Sequence, residues 1–407
     1  MLRSYEVVAY LYAFSYLFQL TIVGSVGGVD FTPYLLSPLL LLVKGAFVKG
    51  SINVTGRNFR TSSIILLTFV IVQSIIAGFL FSGDILVYVE HGMEAALIHG
   101  KQPYHFSLKV VIQWVYLMLN LSALCSLVRH KWLLKENFAS NIVKASVFFV
   151  VGIGLWKYIA DNFFGWFPYD FFFNTKIYSL QNVLQSISEK YRFQSIFAEA
   201  SVCGLFLAIF FWNSLFMEIK KKYVILTMIL LSIILSLAST AFFAMGFGML
   251  FFIVVRKDYG TLIKILVIGG MFFLLLSAIG FDDAFFNMTV YKTSSQSSIT
   301  RSAIMWACID VFKETLLFGL GLGSTCAAGL LATLLGHLGL VGSFLFAFWL
   351  RSIYRILLEN RTFVMVIPTA VLLFGMCTSV GYLSYPILWL QLVVALTANP
   401  INKWCAI

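Results

Sequence analysis

Apolar runs follow one another along the whole chain, each closed by a short polar or glycine-bearing break. They fall near residues 7–24, 33–48, 62–82, 109–128, 144–160, 199–216, 223–239, 241–255, 262–281, 328–350, 362–380 and 385–400. Each is near the ~20 residues that carry a helix across ~30 Å of hydrocarbon. The pattern predicts an all-α polytopic integral membrane protein of about twelve transmembrane helices, a single membrane domain over 1–407. The first half of 328–350 is glycine-rich, which predicts a broken helix. The opening run resembles a signal peptide but has no small-residue cleavage site, so it reads as a retained first span. No polar stretch is long enough to bury a core of its own. There is no internal repeat.

Composition agrees with this. Of 407 residues, 60% are hydrophobic and 11% charged, against about 25% charged in soluble domains. The net charge of +11 has a topological reading. With the amino terminus in the cytoplasm and strict alternation, nineteen of the 28 Lys and Arg residues fall on the cytoplasmic side, with five acids. This is the positive-inside bias, so the basic balance gives no reason to expect nucleic acid. Both termini are then cytoplasmic, and the long loops, 83–108, 161–198 and 282–327, lie outside. The six cysteines contain no CxxC pair and read as packing residues. A Cys308–Cys326 disulfide is an alternative in an oxidising compartment.

Two stretches carry charge beside apolar runs without a topological reason. The first is YRFQSIFAEAS, residues 191–201. If helical, it puts Arg192, Ser195 and Glu199 on one face. Either they close a helix end as an ion pair, or they form a cationic site with a neighbouring carboxylate. The second is SSITRSAIMWACIDVFKETLLFGLGLG, residues 297–323. Ile304, Met305, Cys308, Ile309, Val311, Phe312 and Leu316 form one face of a helix, with Ser302, Asp310, Lys313 and Glu314 opposite. That predicts an amphipathic helix at the membrane surface. Arg301 falls within the apolar face, either snorkelling or reaching an anionic site at the lipid edge. The following GLGLGS, including Gly321 and Gly323, has the look of a phosphate loop but neither the preceding strand nor the GK[ST]. A tight turn and close helix approach fit it better. His91, His99 and His105 match no zinc spacing, and FPYDFFFN at 167–174 reads as core and interface belt.

At these residues the chain resembles a family. YRFQSIFAEAS is similar to the R-x-x-x-x-F-x-E-[PA]-[ST] segment of bacterial O-antigen polymerases. LASTAFFAMGFGML, residues 237–250, resembles their S-x-[TS]-[GA]-[FY] helix. The segment from Ser298 to Ser324 and LLGHLGLVGSFLF, residues 334–346, resemble the two motifs that follow in the same order. The resemblance covers roughly residues 190–350. Leu316 departs from a common proline, and His337 from a common acid. In the sister family, the O-antigen ligases, a histidine lies in a longer external segment; His337 is poorly placed for that role.

The resemblance implies a GT-C-like, metal-independent glycosyltransferase of the bacterial inner membrane with no cofactor. It would move a growing glycan from undecaprenyl pyrophosphate to the next lipid-linked repeat unit. Its partners would be those lipid-linked oligosaccharides, membrane lipids, a chain-length regulator and a flippase. Arg192 and Arg301 would bind the pyrophosphate, since arginine forks suit it. Glu199 would take the acceptor proton, with Asp282, Asp283 and Asp310 as alternatives; Ser195, Asp310, Gly321 and Gly323 would support the site. A ligase is the nearer alternative. A flippase or transporter for the same lipid-linked sugar is the alternative of another class, although such proteins often show paired broken helices and only one break is expected here.

Overall fold

The computed structural model describes residues 2–26, 29–48, 54–88, 100–174, 186–187, 190–256, 260, 263, 296–326, 328–378 and 382–399. Helix dominates it. The first helix, α1 (Leu2–Ser15), covers the first half of the expected span 7–24 and stops well short of its end. There Ser15 turns its hydroxyl onto the Tyr12 carbonyl at 2.7 Å and meets Ser37 at 2.6 Å. The glycine-bearing stretch beyond folds as a hairpin of β1 (Gly24–Val26) and β2 (Val29–Phe31), so it cannot extend the helix.

Four helices follow: α2 (Pro33–Ala46), α3 (Val54–Leu80), α4 (Leu108–Arg129) and α5 (Phe138–Ile159). Strands β3 (Leu86–Val87) and β4 (Gln102–Pro103) pair between α3 and α4. Helix α5 continues into a π-turn, Ala160–Phe164, which Gly165 ends at φ 68°. A short α6 (Tyr169–Phe172) and the hairpin β5 (Ser186–Ile187) with β6 (Lys190–Tyr191) lead onward. Then come α7 (Ala200–Phe216), α8 (Lys222–Ser236), α9 (Ser239–Arg256) and α10 (Gln296–Thr315). The chain closes with α11 (Leu330–Thr333), a second π-turn at Leu334–Leu338, α12 (Gly339–Glu359), α13 (Val366–Thr378) and α14 (Pro386–Thr397). Helix thus stands near every expected span, over only the first half of 7–24, except 262–281, of which all but residue 263 lies outside the described residues. The break expected early in 328–350 is the second π-turn.

Among the described residues, four helical segments are long and apolar enough to cross a membrane: Val54–Leu80, Leu108–Arg129, Phe138–Phe163 and Leu330–Glu359. The remaining apolar helices are shorter. Two of them, α7 and α14, are apolar on all sides and form the middle of the core, as all-round apolar helices must. Nearly every α7 side chain from Ala200 to Phe216 is buried, and so is every one from Pro386 to Thr397. Small residues let neighbours approach α7. Gly204 faces Ala238 and Ala241, and a Cβ there would stand 2.8 Å from the Ala241 methyl; Gly375 of α13 lies against Leu205. Polar side chains link the core helices: Asn213 donates to Gln391 at 2.7 Å, and Trp349 to Ser63 at 3.0 Å.

Contacts between helix ends gather the connections into two sets. At one end Thr55 donates to the Glu359 carboxylate, Lys131 to the Ala398 carbonyl at 2.9 Å, and Lys135 pairs with Glu6 at 3.7 Å. At the other, Tyr104 donates to the Leu320 carbonyl at 3.0 Å, the Cys326 amide to the Tyr88 carbonyl at 2.6 Å, and Arg301 pairs with Glu199. Strict alternation of the spans expected from sequence would put these two sets on opposite sides of a membrane. Single cysteines at Ser82 and Lys313 should therefore react with an impermeant thiol reagent from one side of the membrane, and cysteines at Lys135 and Glu359 only from the other. Labelling of all four from one side would refute the arrangement.

Candidate functional site

The site is built around the start of α7. Residues 192–199 are not helical, so the common helix face expected for Arg192, Ser195 and Glu199 does not exist. Ser195 has φ 51° and is fully buried, its hydroxyl donating to the Val150 carbonyl of α5 at 2.7 Å. It is a packing residue. Phe193 explains the path of the segment: its amide bonds the Leu235 carbonyl at 3.2 Å, and its ring fills the space at Gly154, where a Cβ would stand 2.2 Å away. The strand between Arg192 and Glu199 is thus wedged between α5 and α8.

Glu199 is the N-cap residue of α7, with extended backbone at φ −135° and ψ 148°. A carboxylate there is favoured by the amide ends of the first turn. Its Oε2 accepts from Ser201 Oγ at 2.7 Å and from Arg301 Nη2 at 2.5 Å. Arg301 comes from the first turns of α10, a hundred residues further along. Its side chain is 18% exposed, that of Glu199 29%, so the pair lies in a partly desolvated recess. The Arg301 Nε is buried with no hydrogen-bond partner among the described residues.

Arg192 occupies the other flank. Its Nε donates to the Ser236 carbonyl at 2.9 Å and its Nη2 to the Leu237 carbonyl at 2.7 Å. These carbonyls end α8, where a cation is favoured, and Leu237 adopts φ 47° to close the helix. Burial lowers the Arg192 pKa to about 10, and the Glu199 charge works against that shift. The group stays protonated at neutral pH. The structure pairs Arg301 with Glu199, and Arg192, on the segment that leads to Glu199, is close enough to feel its charge.

The other expected residues lie apart. The apolar stripe of α10, Ile304, Cys308 and Val311, is buried within the protein, so protein covers the face expected to rest on lipid. Asp310 lies on the other flank of α10, bonded by Lys313 at 3.0 Å and paired with Lys101 at 3.9 Å. It lines a polar groove of about 350 Å³ with Asp84 and Glu314 and does not join the arginines. Asp282 and Asp283 lie outside the described residues. Cys308 and Cys326 are not joined by a disulfide in this structure; Cys308 Sγ donates to the Cys326 carbonyl at 3.3 Å.

The glycine turn is a packing element. Gly321 has φ 101°, and a Cβ there would stand 2.6 Å from Ser74 Oγ of α3; at Gly323, φ 83°, it would stand 2.6 Å from Gln113 Cγ of α4. The amides of this turn are spent inside the protein. Leu320 donates to the Gly336 carbonyl at 3.1 Å, Gly321 to that of His337 at 2.8 Å, and Gly323 to His337 Nδ1 at 3.4 Å. They leave no cradle for a phosphate. His337 is 1% exposed, and its Nε2 faces the Thr325 carbonyl at 3.2 Å. It pins the turn. The departure at Leu316 is also structural, because that residue adopts φ 34° and proline cannot.

Sequence reasoning missed Lys157 and Asp161. They form an ion pair at 2.9 Å with side chains only 3% and 4% exposed. Tyr169 donates to the same carboxylate, and the Lys157 ammonium lies 5.5 Å from the Tyr169 ring centroid. The available signal was a lysine inside the expected span 144–160 with an acid four residues on.

No protein-family model matches the chain, and no curated protein matches it. The geometry of the glycine turn yields its own test. Gly321→Ala combines a left-handed backbone with a clash against Ser74, and is expected to cost at least about 2 kcal/mol. A lowered thermal midpoint in detergent would show it; wild-type stability would contradict the packing role.

Proposed function

We propose that the protein is a polymerase of lipid-linked oligosaccharide repeat units at the outer face of a bacterial inner membrane, crossing it about twelve times in a GT-C-like arrangement. The observation that carries this reading is the Arg301–Glu199 ion pair, with Arg192 on the same segment as Glu199, at the loop end of a helix buried almost throughout. Two arginines around one carboxylate, in a recess between loop and bilayer, suit an anion that arrives on a lipid. Charges at such depth are costly unless paired, and Glu199 holds the place of the anion until substrate enters.

In the reaction, the donor glycan sits on polyprenyl pyrophosphate. An acceptor hydroxyl of a second lipid-linked unit attacks its anomeric carbon. The new C–O bond forms as the bond to pyrophosphate breaks, the electron pair leaves with the pyrophosphate, and the hydroxyl proton passes to Glu199. Arg301 stabilises the leaving group best, because its buried Nε–H is unspent. Arg192 has two donors committed to carbonyls and contributes fixed charge and its remaining NH groups. Pyrophosphate binding to Arg301 releases Glu199 Oε2 from its ion pair, so the base becomes available when the donor is bound. No partner regulator, flippase or sugar identity enters this chemistry.

The histidine geometry favours a polymerase over a ligase, since both His337 ring nitrogens are engaged in the buried turn. For the transporter alternative, deletion is the discriminating test. Loss of a polymerase leaves exported single repeat units, whereas loss of a flippase leaves them inside.

Arg301→Lys and Arg192→Lys should each leave mostly unpolymerised repeats at normal protein levels. Losing one charged donor to a developing leaving group costs on the order of 3 kcal/mol, about a hundredfold in rate. For Arg192 the further reason is that an ammonium cannot span both α8 carbonyls. Glu199→Gln should also abolish chain growth. Polymer length distribution beside a membrane immunoblot checks all three, and a wild-type ladder from any of them would remove that residue from the mechanism.

A further inference from the structure

The π-turn that ends α5 has two different faces. On its outer side, Leu155, Trp156, Ile159 and Phe163 follow one another at helical spacing and are all exposed, Phe163 by 75%. Trp166, 68% exposed, and Phe171, 61% exposed, extend the same surface beyond Gly165. The Trp156 and Trp166 rings pack at 5.2 Å. Beneath them Phe167, Phe172 and Phe173 are buried, so this is a firmly backed aromatic platform. It continues the exposed side of a helix that is long and apolar enough to cross a membrane. Aromatic rings, tryptophan above all, concentrate where hydrocarbon meets headgroups.

On its inner side the same turn grips the segment that carries Arg192. Asn162 Oδ1 accepts from the Tyr191 amide at 3.0 Å, and Asn162 Nδ2 donates to the Tyr191 carbonyl at 3.3 Å and to the Tyr158 carbonyl at 2.9 Å. A side-chain amide thus imitates a strand neighbour for the residue next to Arg192. One position earlier, Asp161 is locked by Lys157 and Tyr169. A buried ion pair costs desolvation and fixes the geometry of whatever it holds. The extra residue of a π-turn lets Asp161 and Asn162 both face inward while Phe163 faces out.

The geometry points to the π-turn as an interfacial anchor: its aromatic face seats in the lipid headgroup layer, and Asn162 holds Arg192 at that depth. The partner of the platform is the bilayer interface itself. Asn162 is a positioning residue, and this second half rests on the reading of Arg192 as a pyrophosphate-binding group. A lipid-held pyrophosphate can reach the site only at a matched depth, whereas a soluble one is indifferent to depth.

Depth is measured first, in phospholipid nanodiscs. A cysteine-free background carries single environment-sensitive labels at Phe163, Trp166 or Phe171, with a control at Lys313. Labels on the platform are expected to be quenched by lipids brominated near the headgroup and shielded from aqueous iodide. Free quenching by iodide at all three would overturn the anchor. If that background does not fold, the loss of brominated-lipid quenching between wild type and Trp166→Phe reads the same depth.

Binding is measured next with two probes, inorganic pyrophosphate and long-chain polyprenyl pyrophosphate in the nanodisc. The double change Phe163→Ser with Trp166→Ser should weaken the lipid probe about tenfold and leave inorganic pyrophosphate unchanged. Asn162→Ala should weaken both, since Arg192 loses its place. Equal loss of both probes in the double variant, or unchanged binding in Asn162→Ala, would overturn the coupling. Failure of the wild type to bind either probe would refute the pyrophosphate reading and the coupling with it, and the quenching result would still decide the anchor.

Discussion

The ion pair between Glu199 and Arg301 ties together the parts of the molecule on which the proposed chemistry depends. Glu199 caps the start of α7, a helix in the middle of the core, and Arg301 lies in the second turn of α10, about a hundred residues later. A carboxylate at a helix start gains from the amide dipoles, yet in a half-buried recess it still needs a cation. Arg301 meets that need with one bond and retains a buried Nε with no partner among the described residues. Arg192 stands on the other flank with its charge fixed on the last carbonyls of α8. Each charge in the set therefore has a local reason for its position. In the proposed reaction, a phosphate would exchange with Glu199 at Arg301.

Two π-turns hold this arrangement, one on each side. The first presents Asn162 to the backbone beside Arg192. The second presents His337 to the glycine turn that follows α10. In both, a polar side chain satisfies the backbone of a loop that could not otherwise be buried. π-turns concentrate at functional sites. Here they reconcile a membrane-length helix with an irregular segment that carries charge.

The helices are legible in the sequence because apolar length and polar breaks decide where a chain can cross hydrocarbon, and α2 to α5, α7 to α9 and α12 to α14 follow those breaks, while the short α6 falls in an expected loop. The early end of α1 falls at Ser15, whose hydroxyl bonds the Tyr12 carbonyl and Ser37, inside an apolar run that reads as continuing. The arginines and Glu199 were legible as residues but not as geometry. A helical wheel placed Ser195 beside them, and φ 51° at Ser195 breaks the wheel. Their true association is tertiary, through a residue on α10 that no local periodicity contains. Lys157 and Asp161 escaped notice because a lysine near a span end reads equally as a snorkelling side chain. Only the packing of Tyr169 and Phe173 around it shows that it does not reach water.

Reconstitution tests chain growth most directly. The purified protein is placed in liposomes with a single lipid-pyrophosphate-linked oligosaccharide, and both glycan length and free polyprenyl pyrophosphate are followed. Glycans of two, three and more repeats should appear, with one polyprenyl pyrophosphate released for each new bond. Movement of the unchanged oligosaccharide lipid across the bilayer, with no lengthening and no released pyrophosphate, would contradict the polymerase and identify a transporter.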